Sequence, residues 1–166
     1  MNFVSRLAPA AIVLGLLLPL FAPGPTQAAP EGPFEGFTGA WAGEGSIDAS
    51  GGSTERLRCR STNAVGGGGD TLDMNLDCKS DTYVFNLKVN ATSQSGHLLG
   101  AWTETTRGIE GGVEGQAAKG RVQATVRGQG FSAAVAIATL GSRQSVTIRS
   151  DGQQLSSVSI TLHRGH

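Results

Sequence analysis

From Phe37 onward the chain alternates between apolar and polar residues. In "YVFNLKV" Tyr83, Phe85, Leu87 and Val89 fall on one side. In "RVQATVR" Val122, Ala124 and Val126 oppose Arg121, Gln123, Thr125 and Arg127. In "SVSITLHR" Val158, Ile160 and Leu162 oppose Ser157, Ser159, Thr161 and His163. A period of two over such lengths is that of half-buried antiparallel strands. Glycine-bearing turns such as "ASGG", "VGGGGD", "SQSG", "GIEGG", "RGQG" and "SDGQ" interrupt the pattern at short intervals. The spacing predicts about ten strands, at 37–48, 53–63, 70–78, 81–91, 96–107, 110–118, 119–127, 130–140, 143–150 and 153–164. Almost no helix is expected.

An antiparallel meander this long curls, and closing it removes its exposed edges. The expected fold is therefore all-β: an up-and-down barrel of eight to ten strands. Closure sets the start of the first strand beside the end of the last. Trp41 lies near that start and Arg164 near that end, each in phase with inward neighbours. A guanidinium over the Trp41 ring would plug one end through a cation–π contact.

Residues 1–28 read as a cleaved signal peptide. Arg6 marks the n-region, "LAPAAIVLGLLLPLFA" the apolar stretch, and "PGPTQA" a small-residue cleavage site ending at Ala28. Residues 29–36 read as a flexible leader and 37–166 as one domain. The implied location is the periplasm or the medium. No second apolar run is long enough to span a membrane. Removing 28 of 166 residues leaves 138 with a net charge of −1, which argues against a general nucleic-acid or polyanion binder. All six prolines lie at or before Pro33, as befits continuous sheet beyond it.

Two cysteines in an exported chain predict a disulfide. If Cys59 and Cys78 oppose each other on neighbouring strands, the hairpin centre falls between Gly68 and Gly69, inside "GGGG". Cysteine pairing and turn chemistry thus agree on one register. It puts Leu57, Cys59, Leu72, Met74, Leu76 and Cys78 on the core side. Arg56, Arg58 and Arg60 share the other face with Asp73, Asn75 and Asp77. The arginines read as a solvated face neutralised by those aspartates, with anion binding as the alternative.

Reactive chemistry is sparse. His97, His163 and His166 are scattered, so no metal set forms, and no cofactor is implied. No nucleophile motif appears, and "GGGGD" lacks the Lys and Ser/Thr of a phosphate loop. These features argue against an enzyme. One stretch stands out: in "GAWTETT" the phase of Trp102 continues to Glu104, so a carboxylate points inward. It is either solvated at the barrel mouth or a polar anchor in a ligand cavity walled by Tyr83, Phe85 and Phe131. The inward phase also holds small residues such as Gly43, Gly45, Gly100 and Ala124. They permit either tight closure or an open lumen.

The runs "GAWAGEGSI", "ERLRCRS", "LDCKSDTYVFNL", "GAWTETTR" and "VSITLHR" resemble a family of small exported alphaproteobacterial proteins. The resemblance spans nearly the whole mature chain and implies no catalytic or binding residue. More loosely, the G-x-W at Gly39–Trp41 with Arg164 is similar to the calycin plan of lipocalins and avidins. That plan implies a barrel for small, mostly apolar ligands, although this inner wall is richer in Gly and Ala. Shape alone does not assign activity.

The first expectation is a monomeric binding module for a small apolar or amphipathic molecule, lined by Tyr83, Phe85, Trp102, Glu104 and Phe131. The second is a protein-interaction or protease-inhibitor-like barrel that uses an outer face, the leader or the Gly-rich hairpin.

Overall fold

The computed structural model describes residues 32–151 and 155–165. The expected signal peptide and residues 29–31 lie outside them. Ten antiparallel strands follow in order: β1 Gly39–Ala49, β2 Thr54–Gly66, β3 Thr71–Lys79, β4 Val84–Gln94, β5 His97–Glu104, β6 Ile109–Ala118, β7 Arg121–Gly128, β8 Phe131–Leu140, β9 Arg143–Ser150 and β10 Leu155–Arg164. Each strand pairs with its sequence neighbours, and β1 also pairs with β10, so the meander closes into a barrel. Among the described residues the only helical turn is Gly67–Gly69, between β2 and β3.

Alternation sets the two faces. Along β2 and β3, Leu57, Cys59, Leu72, Met74, Leu76 and Cys78 are buried and their neighbours exposed. Leu98, Trp102, Val113, Val122, Ile137, Val146, Val158, Ile160 and Leu162 complete the core from the other strands. Cys59 opposes Cys78, and the two form a disulfide. The turn between them is where Gly67, Gly68 and Gly69 all take positive φ, a conformation that glycine adopts without penalty.

The inward glycines serve tight closure on several strands. A Cβ on Gly43 would lie 2.0 Å from the carbonyl oxygen of Thr161, and one on Gly115 2.1 Å from that of Gln123. Only a missing side chain lets these strands coil so closely against their neighbours.

The leader is not loose where it is described. Phe34 and Phe37 are buried at 1% and 0% exposure, their rings 5.8 Å apart edge to face. Residues 32–38 cross one end of the barrel, held by the Phe34 N–H on Gly69 O and the Gly120 N–H on Pro33 O. The two phenylalanines fill that end, a tertiary role that strand periodicity does not express. The leader and the Gly-rich hairpin, both considered as elements that insert into a partner, are here packed against each other.

Trp41 and Arg164 complete this closed end. They are register partners, and the guanidinium carbon stands 4.5 Å from the indole centroid. Trp41 Nε1 donates to Phe37 O at 2.9 Å, and Arg164 donates to the carbonyls of Gly36 and Thr38.

The arginine face of β2 departs from expectation in its partners. Arg60 does oppose Asp77 and Arg58 opposes Lys79. The ion pair, however, is Arg56 with Glu44 of β1. Asp73 instead accepts from the Asn90 amide. With its amide oriented to satisfy both atoms, Asn86 donates to Asp77 at 3.0 Å. The short aspartates are occupied by amides of β4, and the longer Glu44 reaches the arginine from the other side.

Candidate functional site at the open mouth

The end opposite the Trp41 plug is built from the C-terminal end of β5, the N-terminal ends of β4, β6 and β8, and the turns that join them. Register sets its layers. Glu104 lies beside Leu87 of β4 and Ile109 of β6. One layer deeper, Trp102 lies beside Val89 and Gly111, and Gly111 lies beside Gly128, the partner of Phe131. Phe85 is further out on β4, opposite Cys78, and Tyr83 precedes the strand.

Trp102 forms the floor. Its indole is 7% exposed, meets Phe131 edge to face with centroids 5.4 Å apart, and donates to Arg127 O at 3.2 Å. Two glycines shape its seat. A Cβ on Gly111 would stand 2.8 Å from Trp102 Nε1, and one on Gly128 3.0 Å from the indole and 2.6 Å from the Phe131 ring. Sequence reasoning placed Trp102 inward but did not single out these glycines. Their signal was present as "EGGVEG" and "RGQG", two inward gaps facing an aromatic.

Glu104 is buried at 6% exposure, and its oxygens are taken by the turn that follows. Oε1 accepts from the N–H groups of Asn86 and Thr106, both at 3.0 Å. Oε2 accepts from the Arg107 N–H at 2.9 Å and from its guanidinium at 3.4 Å. Burial alone would raise the pKa. The backbone N–H of Asn86 and the donors of Thr106 and Arg107 outweigh it, and the carboxyl sits at about 2. This explains why β5 ends at Glu104 rather than near residue 107: Thr105 N–H still donates to Asn86 O, but the carboxylate takes the N–H groups of Thr106 and Arg107 into the turn. The inward Glu104 is thus neither solvated at the mouth nor aimed into a cavity: it is a buried carboxylate satisfied by backbone N–H groups.

The outer rim carries further turn-fixing acids. Glu55 accepts from Ser80 Oγ at 2.6 Å and from the hydroxyl and N–H of Thr82. Asp48 accepts from Ser157 Oγ at 2.6 Å and Thr54 Oγ1 at 2.7 Å. Hydroxyl donors, Ser80 first for Glu55 and Ser157 first for Asp48, hold both below the usual carboxylate range.

The remaining inward side chains at this end are apolar and only half-buried: Tyr83, Phe85, Leu87, Ile109, Phe131 and Ile148 pack on the core while keeping part of their surface open. The structure thus groups Trp102 with Phe131, and Glu104 with Leu87 and Ile109. Two concavities, of about 350 and 470 Å³, lie instead along the outer wall, on β6–β9 and β2–β5. Neither is bounded by Tyr83, Phe85, Trp102, Glu104 or Phe131. Among the described residues no group of three or more His, Cys, Asp and Glu is placed to hold a metal ion, and no helix is long and apolar enough to cross a membrane.

No protein-family model matches the chain, and no curated protein matches it in sequence. Solved structures do match it. Rv2717c from M. tuberculosis aligns with a TM-score of 0.59 at 14% identity, covering 81% of this chain and 94% of its own. The S-type phycobiliprotein lyase CPES from Guillardia theta aligns with a TM-score of 0.54 at 11% identity, covering 78% of this chain and 88% of its own. At such identities the likeness is one of fold: this ten-stranded antiparallel barrel is an architecture shared with both.

Proposed function

We propose that the protein is an exported, non-enzymatic barrel that binds a small apolar or amphipathic molecule at its open mouth. The observation that carries this reading is the inequality of the two ends. One is filled by Phe34, Phe37 and the Trp41–Arg164 pair. At the other, inward aromatic and aliphatic side chains keep exposed surface around a tryptophan floor. Apolar surface held half-open at a barrel end is what a small ligand covers favourably. Trp102 and Phe131 supply the floor; Tyr83, Phe85, Leu87 and Ile109 supply the rim. Glu104 holds the turn that shapes the rim. One similar structure is named a phycobiliprotein lyase, which agrees with a barrel used around small molecules but lends this chain no activity.

The neutral fluorophore N-phenyl-1-naphthylamine tests the reading. Its emission should rise on adding the protein, with saturation. Phe131→Ser and Ile109→Ser should abolish that rise while thermal unfolding shows a folded barrel. Leu99→Ser and Leu140→Ser, which alter exposed apolar residues of the outer wall, should leave it intact. Absence of binding, or equal loss in the outer-wall variants, overturns the proposal.

A further inference from the structure

Charge is divided unequally along the chain. Residues 29–118 hold twelve acids and six Lys or Arg, whereas residues 119–166 hold six Lys or Arg and a single acid, Asp151. The consecutive strands β7, β8, β9 and β10 contain no Asp or Glu. Overall neutrality therefore conceals one cationic wall, which whole-chain charge does not reveal.

That wall is also concave. β8 turns Ala134, Ala136 and Ala138 outward between two arginine-bearing strands. On β7, Arg121 faces Ala138 and Arg127 faces Ser132. On β9, Arg149 faces Ala134 and Arg143 faces Leu140. Short alanines between longer flanking side chains leave a groove of about 350 Å³, walled by Glu114, Gln123, Thr125, Thr147 and Arg149. Arg127 is engaged by Glu114 at 3.2 Å. Arg121, Arg143 and Arg149 have no acidic partner among the described residues. The arginines on each strand are six positions apart, so the cations stand in two groups about 20 Å apart along this face: Arg149 and the Glu114-paired Arg127 at the groove, Arg121 and Arg143 beyond it.

We infer that this groove binds an extended acidic glycan. Its carboxylates or sulfates meet Arg149 at the groove and Arg121 and Arg143 beyond it, where planar bidentate pairing favours Arg. Its hydroxyls meet the Thr125 and Thr147 hydroxyls and the Gln123 amide between them, over an alanine floor. A peptide strand would gain little here, because the closed barrel offers no sheet edge with which to form a backbone ladder. The unpartnered arginines are the ligand's counter-charges.

Titration calorimetry with a galacturonate hexamer tests the inference. Binding should be saturable, weaken as salt rises, and fall roughly tenfold or more in Arg121→Gln/Arg149→Gln, the scale of losing charge-assisted hydrogen bonds. Arg58→Gln/Arg60→Gln on β2 should bind as the wild type does, and a neutral galactose hexamer should not bind. No galacturonate binding, or equal loss in both double variants, overturns the proposal. Hexaglutamate binding as tightly as the glycan also overturns it, in favour of an acidic protein partner. None of these outcomes depends on the mouth.

Discussion

Arg164 stands over the ring of Trp41 while it caps the carbonyls of Gly36 and Thr38, so the last strand holds both the first strand and the leader. One side chain thereby joins barrel closure to end closure. Replacing it with Lys keeps a charge over the indole but loses the planar fork that reaches two carbonyls at once. Arg164→Lys is expected to lower stability by about 1–2 kcal/mol and Arg164→Ala by more, from lost charged hydrogen bonds and the cation–π contact. Denaturant melts followed by Trp fluorescence read both changes. Loss of less than half a kilocalorie in the alanine variant would show that the packing of Phe34 and Phe37 closes the end without it.

Glu104 predicts a specific pH response. Its folded pKa of about 2 lies below the ordinary 4.5, so the carboxylate form is preferred by the fold. Its contribution is fully present above about pH 4.5 and is lost as pH falls toward 2, with a magnitude of about 3 kcal/mol. Glu104→Gln removes this dependence. The stability gap between wild type and variant should be largest above pH 5 and shrink steadily toward pH 2. Urea melts across that range measure it, and a gap that does not change with pH would place the stabilisation elsewhere.

The Cys59–Cys78 bridge staples a hairpin whose register is already fixed by the inward set of Leu57, Leu72, Met74 and Leu76. Its loop spans a sequence separation of 19, for which chain entropy gives a contribution of about 3 kcal/mol. The double change Cys59→Ala/Cys78→Ala should lower stability by that order. It should leave the fold and the β2–β3 pairing intact, as read by circular dichroism and amide exchange. Slipped or lost protection on β3 would show instead that the bridge sets the register.

Much of this architecture is legible in the residues. Each strand is a half-buried element, so its period of two appears directly, and the "GGGG" turn and the cysteine pair specify one hairpin between them. The Trp41–Arg164 part of the end cap was legible from phase, but the part played by Phe34 was not, because it lies before the first strand and acts through tertiary packing across the barrel end. Glu104 was legible as an inward carboxylate but not as a turn cap, since its partners are backbone N–H groups that any sequence carries. The partner of the β2 arginines was missed for a related reason. Reading only the β2–β3 hairpin left out Glu44, which becomes a neighbour only once β1 pairs with the other edge of β2. The inward glycines were visible, yet their purpose depends on how close the next strand's carbonyl comes.

Gly111 and Gly112 put that last point to a direct test. They are adjacent on β6 and face opposite sides of the wall. A Cβ on Gly111 would lie 1.8 Å from the Arg127 carbonyl oxygen and 2.8 Å from the Trp102 indole nitrogen, whereas one on Gly112 meets nothing within 4 Å. Gly111→Ala must push β7 or the indole aside, at a cost of about 1–3 kcal/mol, typical of overpacking. Gly112→Ala loses no space and restricts the unfolded chain, so it should be neutral or add up to about 1 kcal/mol. The Gly111 variant should also shift Trp102 emission, because the indole donates to the Arg127 carbonyl that the new methyl displaces. Thermal melts with fluorescence detection separate the two variants. Equal stability would mean that β6 and β7 can part locally without cost, and the close approach of these strands would then not explain the glycine.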